Sequence, residues 1–258
     1  MYQNVVVLSR QTHGDKRFQP LPDYGFARGQ TLVPVAAAEL THVAARLPIG
    51  FMASEAEGLR PMVLMGIDGE TNLLVGPDGR WATDYVPAAV RRYPFVLTRN
   101  QEGGAAVGID LEANTLSDSD GDPLFKDDGE PGERLERIMA MLREFDGGIR
   151  GAATAAQRLE EAGVLEDWEP KVEVAGQSWT LKGLRRVSES ALNALDDETF
   201  AGLRSGGALA MAYAQLLSTA QLPKLVRLAE ARQKQTQPAS AGKPNGQGNG
   251  EMSFNFDA

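Results

Sequence analysis

The chain contains no cysteine and only two histidines among its 258 residues. Without cysteine, disulfide scaffolds, cysteine-based zinc modules and thiol catalysis are excluded. No apolar run approaches the about 20 residues that a bilayer-spanning helix needs, and residues 5–8 are too short for the core of a signal peptide. The sequence therefore predicts a cytoplasmic protein, with export to the cell surface without a cleaved signal peptide as the alternative.

Basic residues are outnumbered by acidic residues: the chain has 26 Lys and Arg residues and 35 Asp and Glu residues, and its formal net charge is −9. Nucleic acids and anionic membranes bind proteins through clustered cations. We therefore expect no nucleic-acid partner and no membrane span. The composition favours a protein partner or a small anionic ligand, and it indicates no oligomeric state.

Short apolar runs separated by Gly and Pro dominate the first half of the chain, which is typical of strands. The runs lie at 5–8, 32–35, 49–52, 62–65, 72–75, 95–97 and 107–109. Asp-Gly pairs at 68–69 and 78–79 provide residues suited to hairpin turns. The sequence predicts an antiparallel sheet with meander connections in this region, and helices at 36–47 and 86–92.

The apolar period changes to 3.6 residues after Pro131, which indicates helices. The apolar stripe of the first helix is predicted to end at Gly147-Gly148. The remaining predicted elements are a helix at 149–162, a hairpin at 172–184, and helices at 188–195, 196–204 and 208–232, the last with a kink at Pro223. The fold class is therefore α+β. An antiparallel sheet region (1–127) is followed by a helical region with one hairpin (128–232).

Residues 233–250 contain no Val, Ile, Leu or aromatic residue. Such a segment cannot bury enough apolar area to offset its ordering entropy, so the sequence predicts a disordered C-terminal tail at 233–258. Phe254 and Phe256 alternate near its end and are followed by Asp257. We expect these three residues to dock on a partner, at a sheet edge or in two pockets, with a terminus without a role as the alternative.

The densest group of aromatic and cationic side chains lies between residues 81 and 95. Its candidate ligand- or partner-binding residues are Trp81, Tyr85, Arg91, Arg92 and Tyr93, with Phe95 beside them. The planar guanidinium group of arginine can clamp a carboxylate while its face stacks on an aromatic ring. The alternative is structural, with buried aromatic residues and arginines that pair with the acidic excess.

Four motifs in this part of the chain read Asn-Leu-Leu-Val at 72–75, Asp-Gly-Arg-Trp at 78–81, Asp-Tyr-Val-Pro-Ala at 84–88 and Arg-Arg-Tyr-Pro-Phe at 91–95. Together they resemble the SapC family of bacterial proteins. Flanking pieces extend the resemblance over residues 5–232, among them His13, Glu39, the Gly-Asp-Pro-Leu-Phe run at 121–125 and the Leu-Arg-Arg-Val run at 184–187. The resemblance implies an accessory role linked to a surface layer or another cell-envelope system, and it implies no catalytic residue.

A second interpretation is enzymatic. His13 and Asp15 have the His-x-Asp spacing of two ligands in the facial triad of non-haem iron oxygenases. With His42 they would hold Fe(II), and Arg91 or Arg92 would bind an oxo-acid co-substrate. The sequence thus favours a non-enzymatic binding protein without a cofactor, and it leaves a non-haem Fe(II) oxygenase-like enzyme as the alternative.

A third motif, with aspartates at 118, 120 and 122, resembles the start of an EF-hand loop. Pro123 stands where that loop requires glycine. We therefore expect a solvated acidic loop there.

Overall fold

The structure is a computed structural model that describes residues 1–54, 58–99, 104–236 and 249–253. Helices and strands are interspersed along this part of the chain. In chain order they are β1 Val5–Val7, α1 Arg10–His13, β2 Arg17–Phe18, β3 Leu32–Pro34, α2 Leu40–Ala44, β4 Ile49–Ser54, β5 Gly58–Leu64, α3 Ala88–Arg91, β6 Phe95–Arg99, β7 Ala105–Asp110, β8 Leu116–Ser117, β9 Asp122–Pro123, α4 Glu133–Glu161, β10 Leu165–Trp168, β11 Lys171–Val174, β12 Gln177–Lys182, β13 Leu184–Val187, α5 Glu189–Asn193, α6 Asp197–Gly202, α7 Ala208–Ser218, α8 Leu222–Thr236 and β14 Asn249–Ser253. The α+β fold class is confirmed.

The largest sheet has the antiparallel order β10-β13-β4-β5-β3. Its central hairpin pairs β4 with β5, from Ile49 opposite Val63 to Ser54 opposite Gly58. Ile49, Phe51 and Val63 are fully buried, which explains why these strands read as continuous apolar runs rather than as alternating patterns. Because the sheet takes strands from both sides of residue 127, the sheet-rich and helix-rich regions share one core.

Strands β13 and β4 pair only briefly, with Arg185 opposite Phe51. A side chain from a helix supplies further hydrogen bonds between these two strands. Gln215 on α7 accepts a hydrogen bond from the Val187 N–H (2.9 Å) and donates one to the Ile49 carbonyl (3.0 Å). Its amide therefore stands in for the missing ladder hydrogen bonds and fixes α7 on the sheet.

A second sheet has the order β1-β7-β6 and packs against the first half of α4. The predicted meander is thus divided, because the runs at 95–97 and 107–109 lie in this sheet. The prediction of a strand at 72–75 is wrong, because Val75 forms only an isolated β-bridge with Trp81. The Asn72 side chain explains the difference: it accepts a hydrogen bond from the Leu74 N–H (2.9 Å) and so turns the backbone locally.

The central helix α4 is continuous for 29 residues. The prediction that it ends at Gly147-Gly148 is wrong, because both flanking segments bury apolar faces and tertiary packing outweighs the low helix propensity of glycine. Gly148 also allows the residue Ala36 to pack closely against α4, since a Cβ at position 148 would lie 2.9 Å from the Ala36 Cβ.

The remaining helices differ from the predictions mainly at their ends. The predicted helix at 36–47 is a 3₁₀ turn, Ala37–Glu39, followed by the short α2. The 208–232 helix is interrupted by a 3₁₀ turn at Thr219–Gln221, before Pro223, which is accommodated in the first turn of α8. No helix in the described part of the chain combines the length and apolar character that crossing a membrane requires.

The predicted hairpin is present as β11 and β12, and Ala175 and Gly176 both adopt positive φ at its turn. Helix α8 continues to Thr236, past the predicted start of the tail at 233, because Gln and Lys are good helix formers. Residues 249–253 form β14, a strand that the sequence pattern did not predict. Phe254, Phe256 and Asp257 lie outside the described residues.

Candidate functional site

A cleft with a volume of about 580 Å³ lies between α4, the segment before β3 and the start of β6. Its size falls in the range of small-molecule sites. We name it the aromatic–arginine cleft, and it is lined by Phe18, Pro20, Leu21, Pro22, Asp23, Tyr24, Phe26, Val90, Arg91, Tyr93, Phe95, Arg134, Arg137, Ile138 and Met141.

The floor of the cleft is aromatic. Tyr93 and Phe95 are buried, and a cis peptide bond joins Tyr93 to Pro94 at the entry to β6. Phe26 stacks on Tyr93, with ring centres 4.3 Å apart and an interplanar angle of 19°. Phe18 meets Phe95 at 4.8 Å. These contacts hold the rings in place before any ligand arrives, so the apolar surface is preorganised.

A buried carboxylate fixes the Tyr93 hydroxyl. Asp110 is fully buried and accepts hydrogen bonds from Tyr93 (3.1 Å) and from the Gln3 and Asn4 N–H groups (3.0 and 2.9 Å). Burial raises the pKa of Asp110, but the hydrogen bonds from Asn4, Gln3 and Tyr93 outweigh burial and hold this pKa below its usual value. Asp110 therefore ties the N-terminal strand to the cleft floor.

Tyr93 stays protonated near neutral pH. Burial, with a smaller contribution from the hydrogen bond to Asp110, raises the pKa of Tyr93 to about 12. Since its proton is held by Asp110, the residue contributes a ring face to the cleft rather than a base.

Three arginines stand around the cleft: Arg91 from α3, and Arg134 and Arg137 from one face of α4. Their side chains are 46%, 36% and 71% exposed, respectively. Each has an acidic neighbour: Arg91 lies 3.6 Å from Glu39, Arg134 lies 4.0 Å from Asp122, and Arg137 donates a hydrogen bond to Glu133 at 3.3 Å. The ion pairs of Arg134 and Arg137 are partly exposed and therefore weak, so a ligand anion can compete for their guanidinium donors, whereas the Glu39 partner of Arg91 is buried.

Arg134 has the clearest unused donor. Its Nε is buried and has no hydrogen-bond partner among the described residues. Its guanidinium carbon lies 5.4 Å from the centre of the Phe18 ring, an arrangement that orients the group by a cation–π contact. The one acidic residue in the lining, Asp23, already accepts a hydrogen bond from the Gly25 N–H at 2.6 Å. The cleft thus combines an apolar floor with an excess of positive charge.

The structure brings Arg91, Tyr93 and Phe95 of the predicted site together in the cleft. Trp81 lies outside the lining: its indole N–H donates to the Tyr85 carbonyl (2.8 Å), and its ring packs edge-on against Tyr24. Its contacts match the structural alternative.

Arg92 also lies outside the lining. Its guanidinium carbon lies 4.8 Å from the ring centre of Phe145 and 5.4 Å from that of Tyr2. Within the described ranges, its buried Nε has no hydrogen-bond partner. Arg92 therefore fastens the N-terminus to α4 through its two ring contacts.

Tyr85 belongs to a neighbouring cluster around the buried Glu39. The Glu39 carboxylate accepts hydrogen bonds from the Tyr85 hydroxyl (2.7 Å) and the Ala88 N–H (2.6 Å). Burial first, then the hydrogen bond to Glu39, raises the pKa of Tyr85 to about 12. Because Glu39 also faces Arg91, this cluster positions α3 and its arginine at the cleft.

Sequence reasoning did not identify the cleft contributions of Phe18, Phe26, Arg134 and Arg137. For the two α4 arginines a signal existed, because they share a helix face with Ile138 and Met141 at i, i+3, i+4 and i+7 spacing. For Phe18 and Phe26 there was none, since the tertiary fold alone places them beside residues 90–95.

The residues of the iron alternative do not converge. The described part of the chain, which includes His13, Asp15 and His42, holds no group of three His, Asp or Glu side chains arranged to share a metal ion. His13 Nδ1 accepts a hydrogen bond from the Ser9 N–H, and His42 stacks on Tyr85 with ring centres 5.4 Å apart. The two histidines thus make separate local contacts.

Within the part of the chain that the structure describes, the acidic loop holds no group of three carboxylates arranged to share a metal ion; Lys16 pairs with Asp118, and Arg134 lies 4.0 Å from Asp122. These contacts agree with a solvated loop whose carboxylates meet nearby cations.

Fold and cleft together define an α+β protein with an aromatic floor and an arginine rim in one concave site. The model of the SapC family matches residues 8–225, and the chain therefore belongs to the SapC family. All cleft residues fall within the matched range, whereas β14 lies beyond it. No curated protein and no solved structure matches the chain.

Proposed function

We propose that this SapC-family protein binds a small organic anion with an apolar or aromatic body in the aromatic–arginine cleft. The observation that carries the proposal is the pairing of the buried floor, Tyr93 and Phe95, with Arg91, Arg134 and Arg137 at the rim. An apolar body would gain from leaving water, and a carboxylate or sulfonate head would meet planar guanidinium donors.

The mixed lining of the cleft favours a ligand that uses both the aromatic floor and the arginines. A bare inorganic anion would meet the arginines but would make no use of the apolar lining of the cleft. A neutral apolar molecule would cover the floor and leave the guanidinium groups of Arg134 and Arg137 without an anionic ligand. A molecule that joins a ring system to one acidic group satisfies both surfaces.

We propose further that the protein acts by binding, as an accessory protein, and does not transform its ligand. The support is the protonation state of the groups in the cleft. Tyr93 is held as a donor to Asp110 and its pKa is raised to about 12, and the arginines present guanidinium N–H donors without an acceptor atom. These groups recognise charge and shape but do not exchange protons near neutral pH.

The test is a calorimetric titration of the full chain with 2-naphthoate and with uncharged 2-naphthamide, which have the same ring system. We expect naphthoate to bind at least about tenfold more tightly, because hydrogen bonds to a charged group are worth about 1.5–3 kcal/mol. Equal affinities, or binding of neither compound, would contradict the proposal.

Matched arginine variants locate the binding. In Arg134→Gln/Arg137→Gln the rim loses two cations, so we expect naphthoate affinity to fall at least about tenfold. Arg143→Gln is the control, because this exposed arginine lies on the same helix but outside the cleft lining. A similar loss in both variants would place the anion elsewhere. Thermal unfolding of each variant verifies that the fold is retained.

A further inference from the structure

The outer edge of the β11–β12 hairpin is covered by the C-terminal strand. Strand β14 runs parallel to β12, from Asn249 opposite Ser178 to Ser253 opposite Lys182. In this small sheet the order is β11-β12-β14, so β14 is the outermost of the three strands. Its pairing within the described residues is with β12 alone.

The covered edge has the properties of a strand acceptor. An edge strand presents a row of N–H and C=O groups that can pair with another extended chain. Strand β12 reads Gln-Ser-Trp-Thr-Leu-Lys, with no proline to interrupt pairing and with Trp, Thr and Leu that suit a strand. Leu181 is fully buried, so the strand is firmly anchored in the core.

Twelve residues connect the end of α8 to the start of β14. Gln233 near the end of α8 and Gln177 at the start of β12 line the same small cavity, and Asn249 pairs beside that end of β12. The connecting residues, 237–248, lie outside the described ranges. Twelve residues can span up to about 40 Å. The covalent connection therefore does not restrict β14 to the β12 edge of its own chain.

We propose that the β12 edge is a docking site for the C-terminal strand of a second copy of this chain, which exchanges with the chain's own β14. The second copy carries the same 249–253 sequence, so it can form the same parallel register. Pairing through the main chain provides the affinity, and a single short parallel ladder is weak enough to open. Strand exchange then links two copies without new contacts.

Concentration decides between the two pairings. A tethered strand meets its own edge at an effective concentration on the order of millimolar. At micromolar concentration β14 therefore stays on its own chain. As the total protein concentration approaches the millimolar range, exchanged dimers become populated.

The absence of cysteine in the chain makes disulfide trapping a clean test. Thr180 and Glu251 are register partners, and neighbouring strands lie about 4.8 Å apart, within disulfide reach. Two full-length variants, Thr180→Cys and Glu251→Cys, carry tags of different size and are mixed at 10 μM and at about 1 mM before oxidation. We expect a mixed disulfide dimer that increases at least about tenfold in fraction at the higher concentration.

The control pair is Lys171→Cys with Glu251→Cys. Lys171 is the register partner of Thr180 on the other side of β12, so it lies two strands, about 10 Å, from Glu251 and outside disulfide reach. A mixed dimer with Thr180→Cys but not with Lys171→Cys supports exchange.

The double variant Thr180→Cys/Glu251→Cys completes the test. An intrachain disulfide in this variant, together with no mixed dimer at millimolar concentration, would overturn exchange. No disulfide of either kind would overturn the strand pairing itself.

Discussion

Replacing Asp110 by asparagine tests how the cleft floor is held. The two carboxylate oxygens accept four hydrogen bonds, from the Gln3, Asn4 and Glu112 N–H groups and from the Tyr93 hydroxyl. Asparagine keeps one acceptor oxygen and places an NH₂ group opposite two of those donors. Hydrogen bonds to a charged acceptor contribute about 1.5–3 kcal/mol each, so we expect Asp110→Asn to lower the free energy of unfolding by about 2–4 kcal/mol at pH 7.

The effect of Asp110→Asn depends on pH with a definite sign. Since the folded state lowers the pKa of Asp110, ionised Asp110 stabilises the fold at pH values above its unfolded pKa, about 3.9. This contribution is lost as the pH falls through the lower, folded pKa. The difference between the parent and Asp110→Asn should therefore be constant from pH 5 to 7 and shrink below about pH 4.

Urea denaturation at pH 7, 5 and 3 measures this difference. Asp127→Asn is the control, because it removes the same charge at an exposed position. A loss below about 1 kcal/mol at pH 7, or a difference that is the same at pH 3 as at pH 7, would refute the role given to Asp110.

Two other predictions concern stability and are read from urea denaturation. Gly147→Ala should stabilise the protein by about 0.5–1 kcal/mol, because a Cβ at this position would meet open space. Gly148→Ala should stabilise it less or destabilise it, because the new Cβ would lie 2.9 Å from the Ala36 Cβ. Equal stabilisation by the two variants would contradict the packing of α4. Gln215→Leu should cost about 2–4 kcal/mol because a buried N–H and a buried C=O lose their partners. A cost under about 1 kcal/mol would show that the side chain does not complete the sheet.

Local sequence signals identified those elements whose stabilising contacts are close in sequence. The β11–β12 hairpin has its turn residues, Ala175 and Gly176, between two alternating runs. Asp196 caps α6 by accepting a hydrogen bond from the Thr199 N–H at 2.9 Å. In each case the chemistry lies within a few residues, so the pattern suffices.

Other features depend on contacts that no local pattern contains. Glycines at 147 and 148 are helix breakers by propensity, yet α4 continues through them because its two halves pack on different parts of the core. Strand β14 has no strand-like composition, and it forms by pairing with a distant edge.

The cleft shows the same limit. The sequence cluster at 81–95 included Arg91 and Tyr93, and both line the cleft because they lie on the short segment that forms the floor and one side. The opposite walls come from residues 18–26 and 134–141, which are brought together only by the packing of α4 on the second sheet. Trp81 and Arg92 lie outside the cleft lining, and their side chains contact Tyr85 and Phe145, respectively.

The methyl groups of the eight methionines offer the most direct test of ligand binding in the aromatic–arginine cleft. Met141 lines the cleft, whereas Met211 is buried on α7 and lies outside the cleft lining. In methyl NMR spectra of the full chain titrated with 2-naphthoate, ring-current shifts should appear at Met141 and be absent at Met211. Saturable shifts at Met211 with none at Met141 would contradict the account.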